Sequence, residues 1–259
     1  MSNFFVALYA VLPMFIMLAI GFTVRKMKVI EEAHLPVLNK IVFNVFFPFL
    51  MFNNIYAFDL SADFNASLLL YAVVAVAVIY GLSVGFALIF EKSNKSRGAL
   101  IQAIYRSNFV LMGLPIVGNI FGSGRLGMTS MLVTVIVPMY NILAVITLEV
   151  FRGESIKITK ILKGIVTNPL IIGSVAGILF AVFSIKLPEI AESVISDMAS
   201  AATPLALIVL GASFEFASIK RYKKNLIAVI FARLIIVPAI SLSAAIMLSL
   251  IHISEPTRH

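Results

Sequence analysis

Between Asp63 and Glu91 the chain carries no charged residue. An apolar run of that length has few places to fold. A helix needs about 20 such residues to cross the hydrocarbon core of a bilayer, and an open sheet cannot satisfy its backbone there. Eight stretches of this kind follow one another, bounded by charged or turn-rich breaks: Phe4–Val24, Ile41–Phe58, Ser67–Phe90, Ala99–Phe121, Met128–Phe151, Ile165–Ser184, Met198–Ala217 and Leu226–Leu250. Periodicity does not separate strand from helix in runs this continuous, so length and setting decide. The expected fold class is all-α, a polytopic membrane protein with eight transmembrane helices.

Composition and charge point the same way. The chain is 61% hydrophobic and 12% charged, where a soluble domain uses about 25% charged residues to cover its surface. A net charge of +8 would suit a nucleic-acid partner, but the basic residues sit in short runs between apolar stretches. No basic groove with interleaved aromatics is present, and no nucleic acid is expected. The cations instead alternate by side. Arg25 to Lys40, Lys92 to Arg97, Arg152 to Lys163 and Lys220 to Lys224 bound the basic runs of one side, against Arg125 and Lys186 on the other. Such runs mark cytoplasmic loops. The N-terminus is then outside, and the expected location is the cell (inner) membrane, crossed many times. No basic segment precedes the first apolar run, so it reads as a retained helix and not a cleaved signal.

Enzyme chemistry has little to work with. The chain has no cysteine, hence no disulfide, thiolate metal site or thiol nucleophile. His34 sits in a polar loop without metal-ligand spacing, Asp59 and Asp63 lie in an outer loop, and no Walker lysine motif occurs. No cofactor and no metal are expected. A membrane-embedded enzyme would need His, Asp or Glu clustered near one face, and these absences argue against it.

An internal repeat is visible in the prolines. Pro13 and Pro48 are 35 apart, as are Pro169 and Pro204, and the displacement of 156 from Pro13 to Pro169 also carries Gly21 onto Gly177. It lays helices six, seven and eight over helices one, two and three. Five helices separate the copies, an odd number, so the second is expected upside down. Inverted repeats are a common plan of secondary carriers.

Helix four carries the most informative run, from Arg106 through Asn108, Gly113 and Pro115 to Asn119. Proline removes a helical hydrogen bond and clashes one turn back, so a break is expected near the middle of the bilayer. A half-helix N-terminus exposed there would suit a carboxylate. Asn44, Asn53, Asn54 and Asn141 are amides in apolar surroundings, fit either for substrate contact or for interhelical bonds. Arg106 and Arg233 are the basic residues inside apolar segments; both can also snorkel toward the cytoplasmic headgroups. Glu149 ends helix five near the cytoplasm.

The run R-S-N-F-V-L-M-G-L-P from Arg106 to Pro115 resembles the fourth helix of the auxin efflux carrier family. Matching pieces are L-N-K-I-V-F-N-V-F-F-P ending at Pro48, P-M-Y-N from Pro138 to Asn141, T-N-P-L-I-I-G from Thr167, and P-L-A-L-I-V-L-G-A from Pro204. The resemblance implies a ten-helix carrier of two inverted five-helix repeats, whose fourth and ninth helices cross at prolines beside the substrate. It implies transport of small organic anions, and the short cytoplasmic loop leans toward the bacterial malate or malonate permeases. Asn108, Gly113 and Pro115 match the first arm of the crossover. Asn44, Asn141 and Arg106 complete the expected substrate-binding set. The lipid bilayer and a small organic anion are the expected partners, with a second copy of the chain in a homodimer also open.

The expected organisation is a first repeat over 1–151, a cytoplasmic linker over 152–164, and three helices of the second repeat over 165–247. Helices nine and ten do not follow. Residues 248–259 resemble an in-frame translation of a transposase adapter used in sequencing libraries, so the natural gene is expected to continue. A truncated, non-transporting membrane remnant is the alternative reading of this chain.

Overall fold

A computed structural model describes residues 3–56, 65–107, 117, 126–152, 158–216, 219 and 222–247. All regular structure among them is helical. The elements are α1 (Asn3–Lys26), α2 (Glu32–Tyr56), α3 (Ala66–Phe90), α4 (Asn94–Tyr105) and α5 (Leu126–Val150). They continue with α6 (Ile158–Val166), α7 (Pro169–Val182), α8 (Glu189–Ala212) and α9 (Lys223–Met247). Among the described residues five helices are long and apolar enough to cross a membrane, six if the bent pair α6–α7 counts as one span. The chain is a polytopic, all-helical membrane protein.

Several helices begin where apolarity alone does not place them. α2 starts before Ile41, with Pro36 in the first turn of its α-helical part, a position where the missing N–H costs nothing. α8 starts at Glu189 instead of Met198, and Glu189 and Glu192 occupy its first turn. Carboxylates there complement the positive helix end, so the helix runs on past its apolar part. The stretch read as Ile165–Ser184 is two helices. α6 and α7 meet at 56°, and α6 takes up part of the segment expected to be a linker. Asn168 makes the corner: its side chain accepts from the N–H groups of Leu170 and Ile171 at 2.9 and 3.4 Å, and Pro169 follows as the first helical residue.

Two helices contain a π-turn, Val42–Phe46 in α2 and Ala232–Ile236 in α9. Each ends two residues before a proline, Pro48 and Pro238. A proline ring presses on the carbonyl four residues back, here Asn44 and Leu234, and the wider turn relieves that crowding. Pro13, Pro138 and Pro204 lie in helices without such a turn, so proline permits the π-turn without dictating it.

The chain divides into two compact units. The first holds α1, α2, the α5 residues up to Ile142, and α6 to α8. Its two main seams are α2 on α7 and α1 on α8. Both close on glycine. A Cβ on Gly177 would meet the carbonyl oxygen of Phe52 at 2.9 Å, and one on Gly21 that of Ile208 at 2.0 Å. The displacement that carries Gly21 onto Gly177 carries Phe52 onto Ile208. It also carries the ends of α1 (Lys26) and α2 (Tyr56) onto those of α7 (Val182) and α8 (Ala212). Small residues let membrane helices approach closely enough for dispersion to hold them. Arg25 adds a charged cap, donating from Nη1 to the carbonyl of Ala212 at 2.9 Å and from Nη2 to Glu32 at 3.1 Å.

The second unit holds α3, α4, the end of α5 and α9. α3 packs on α4, and Tyr80 joins them to α5: its ring meets Tyr105 edge-on at 5.1 Å, and its hydroxyl lies 3.1 Å from that of Thr147. Thr147 and Ser83 return their hydroxyls to the carbonyls of Leu143 and Ile79, so these buried polar groups stay satisfied without water. Outward faces are apolar. Leu234, Leu242 and Ile246 of α9 are all exposed, as suits a lipid-facing surface.

Candidate functional site

The candidate site is built where α4 stops. The helix starts in the polar turn around Ser93 and has 12 residues, about 18 Å of rise. That length reaches roughly halfway across a 30 Å hydrocarbon core. At Arg106 the backbone turns extended, with φ −76° and ψ 112°. The N–H of Arg106 still donates to Gln102, and the carbonyls of Ala103 and Arg106 take donors from another helix.

Arg233 supplies them. Its Nη1 donates to the carbonyl of Ala103 at 2.9 Å and also to that of Arg106, and its Nη2 lies 3.4 Å from Ser107 Oγ. Arg233 sits in the π-turn of α9. Its guanidinium is engaged by the end of α4. A cation at a helix C-terminus is worth about 0.3–1 kcal/mol at a surface and up to about 2 kcal/mol when partly buried. Among the described residues no carboxylate lies within ion-pair distance of Arg233, so its counter-charge is the helix end.

The start of α4 is tied to the same partner. Glu91, in the turn before α4, accepts from the N–H of Ser93 at 3.0 Å and from the side-chain amide of Asn225 in α9. The Ser93 N–H first, then the Asn225 amide, hold its carboxyl below the usual carboxylate range. α9 therefore grips α4 at both ends.

The other expected site residues fare differently. Asn108, Gly113 and Pro115 lie outside the described residues, and with them the half-helix N-terminus expected to take an anion. The helix end that is described has the opposite polarity and holds a cation. Arg106 is the residue where α4 opens; its carbonyl takes part in the Arg233 contact. Asn44 lies in the π-turn of α2 and gives its amide to Lys40 of its own helix at 2.8 Å. Asn141 is 3% exposed, its Nδ2 3.9 Å from the Met51 sulfur, an interhelical contact. Asn54 offers a buried Nδ2 with no acceptor among the described residues. The sequence singled out Arg233 for its depth but not for its partner, since a contact across 127 positions leaves no local trace.

Two stretches of the chain, residues 6–163 and 155–255, match the profile of the family described as Membrane transport protein. The chain belongs to the auxin efflux carrier family of membrane transporters. Membership extends over both units and both glycine seams. An archaeal relative from Methanothermobacter thermautotrophicus, strain Delta H, described as an uncharacterized transporter, is 25% identical over 245 residues, spanning 92% of this chain and 78% of its own length. As in other transporters, the work done is movement of a substrate, not its conversion.

Proposed function

We propose that this family member is a secondary transporter of small organic anions, of the malate or malonate class, working by alternating access in the cell membrane. The observation that carries it is the matched pair of seams. One displacement relates Gly21 on Ile208 to Gly177 on Phe52, and relates the ends of α1 and α2 to those of α7 and α8. Two copies of one motif, each packed on the other's equivalent surface, support a two-repeat carrier. Exchange between two equivalent arrangements of such copies would open a midplane site first to one side and then to the other.

The remaining features fit this scheme. The apolar runs suggest eight spans, the basic runs suggest an outside N-terminus, and the family resemblance implies a plan of two inverted five-helix repeats. Helix four opens at Arg106, and a carrier of this plan would hold its substrate beside such an opening. By the family resemblance Asn108, Gly113 and Pro115 would form one arm of the crossover, and Asn44, Asn141 and Arg106 would join them in the substrate site. The anion class rests on the resemblance alone.

The test is uptake of radiolabelled malonate and malate into proteoliposomes carrying the 259-residue chain and its Asn108→Ala variant. Saturable uptake lost in the variant, with protein level unchanged, is the expected result. Equal uptake by both removes Asn108 from the site. No uptake of either diacid by the unaltered chain defeats the proposal.

A further inference from the structure

We propose that the Arg233 guanidinium is a built-in cation at the broken end of α4, standing where a transporter of this plan would bind a coupling ion, so that transport needs no sodium. The inference rests on the carrier reading above for its transport consequence, but its chemical core does not. Half-helix C-termini and unwound carbonyls are the groups that coordinate small cations in secondary transporters. The carbonyls of Ala103 and Arg106, with the Ser107 hydroxyl beside them, form such a set at the end of α4, and the Arg233 side chain already fills it.

Three features make this more than a fortuitous cap. The two carbonyls belong to the last turn of α4 and to the extended residue that ends it, and one guanidinium reaches both. Arg233 is delivered by a π-turn, a helix irregularity that re-aims side chains and is frequent at functional positions. The comparison with Arg25 is also informative. Arg25 caps α8 near a run of cytoplasmic charges and shares its guanidinium with Glu32, so its charge is balanced by an ordinary acid. Arg233 is balanced, among the described residues, by carbonyl dipoles and a hydroxyl. A tethered cation cannot leave, so it fixes the end of α4 without contributing an ion gradient.

The experiment compares unaltered chain, Arg233→Lys and Arg233→Ala, purified in detergent, by thermal unfolding in millimolar guanidinium, sodium or choline chloride. The expected result is a lowered midpoint for Arg233→Ala that guanidinium or sodium restores saturably and choline does not. The unaltered chain should ignore all three salts, and Arg233→Lys should lie between. In the proteoliposome assay, diacid uptake by the unaltered chain should be the same in sodium and choline. Arg233→Ala should lose about tenfold, the equivalent of one charge-assisted contact, and regain part of it with sodium. If no cation restores the unfolding midpoint of Arg233→Ala, or if choline does so equally, the built-in cation is wrong. Sodium-dependent uptake by the unaltered chain also overturns it. If cations restore the midpoint but no diacid is taken up by any form, the cation site stands and the carrier reading fails.

Discussion

α1 and the α6–α7 pair are related by the displacement that carries Pro13 onto Pro169, yet one is continuous from Asn3 to Lys26 and the other is bent by 56°. Both contain the proline. The difference lies one residue earlier, where α1 has Leu12 and the pair has Asn168. A leucine cannot take the freed N–H groups, so the helix continues past Pro13 and keeps what bonds it can. Asn168 accepts two of them, and a new helix starts. A proline in a membrane helix is therefore an opportunity to break, and a neighbouring cap decides whether it is used. The same contrast appears in the π-turns before Pro48 and Pro238, which Pro13, Pro138 and Pro204 lack.

The largest effect that would challenge the paired plan comes from its glycine seams. A Cβ on Gly21 meets backbone, not a yielding side chain, so Gly21→Ala should force α1 from α8 and cost about 1–3 kcal/mol. Gly177→Ala should do the same, more mildly, between α7 and α2. Gly81→Ala, with open space at that position, should be neutral or stabilising by about 0.4–1 kcal/mol. Thermal unfolding of the three variants in detergent ranks them, and equal midpoints would dissolve the seams.

A smaller effect tests the corner directly. Asn168→Leu removes a cap worth about 0.5–2 kcal/mol and makes the pair resemble α1. Because the chain has no cysteine, spin labels at Leu162→Cys and Leu179→Cys report the bend without background. Their separation should lengthen toward that of a straight helix, about 25 Å. The reciprocal Leu12→Asn should bend α1 at Pro13. An unchanged separation in Asn168→Leu would assign the corner to packing and not to the cap.

The smallest effect concerns Glu91. Its carboxyl is held below the usual range, so the stabilisation it gives is complete above the ordinary carboxylate pKa and is lost as pH falls through the lowered value. Asn225→Ala removes the second of its two main donors and leaves the Ser93 N–H. The unfolding midpoint of the variant should fall less on acidification than that of the unaltered chain. An identical pH dependence would show that the Asn225 contact contributes nothing to the grip of α9 on α4.

Much of the fold was legible because burial in lipid leaves a sequence little freedom. The apolar runs located α3, α5 and α9 to within a few residues. The errors came where polar residues joined a helix. Glu189 and Glu192 extend α8 through the helix dipole. Of the candidate site, Asn141 stood in the sequence as a polar residue in an apolar run, and the structure places it buried beside the Met51 sulfur.

The sequence by itself determined the class, because about 20 apolar residues in a row can satisfy their backbone in a bilayer only as helix, and it marked the helices most open to breakage through their prolines. Only the tertiary structure decided where helix four actually stops. No glycine or proline stands at Tyr105 or Arg106. At that end a guanidinium more than a hundred residues away donates to two of the carbonyls, and a bond between distant positions is written in the fold, not in either local run.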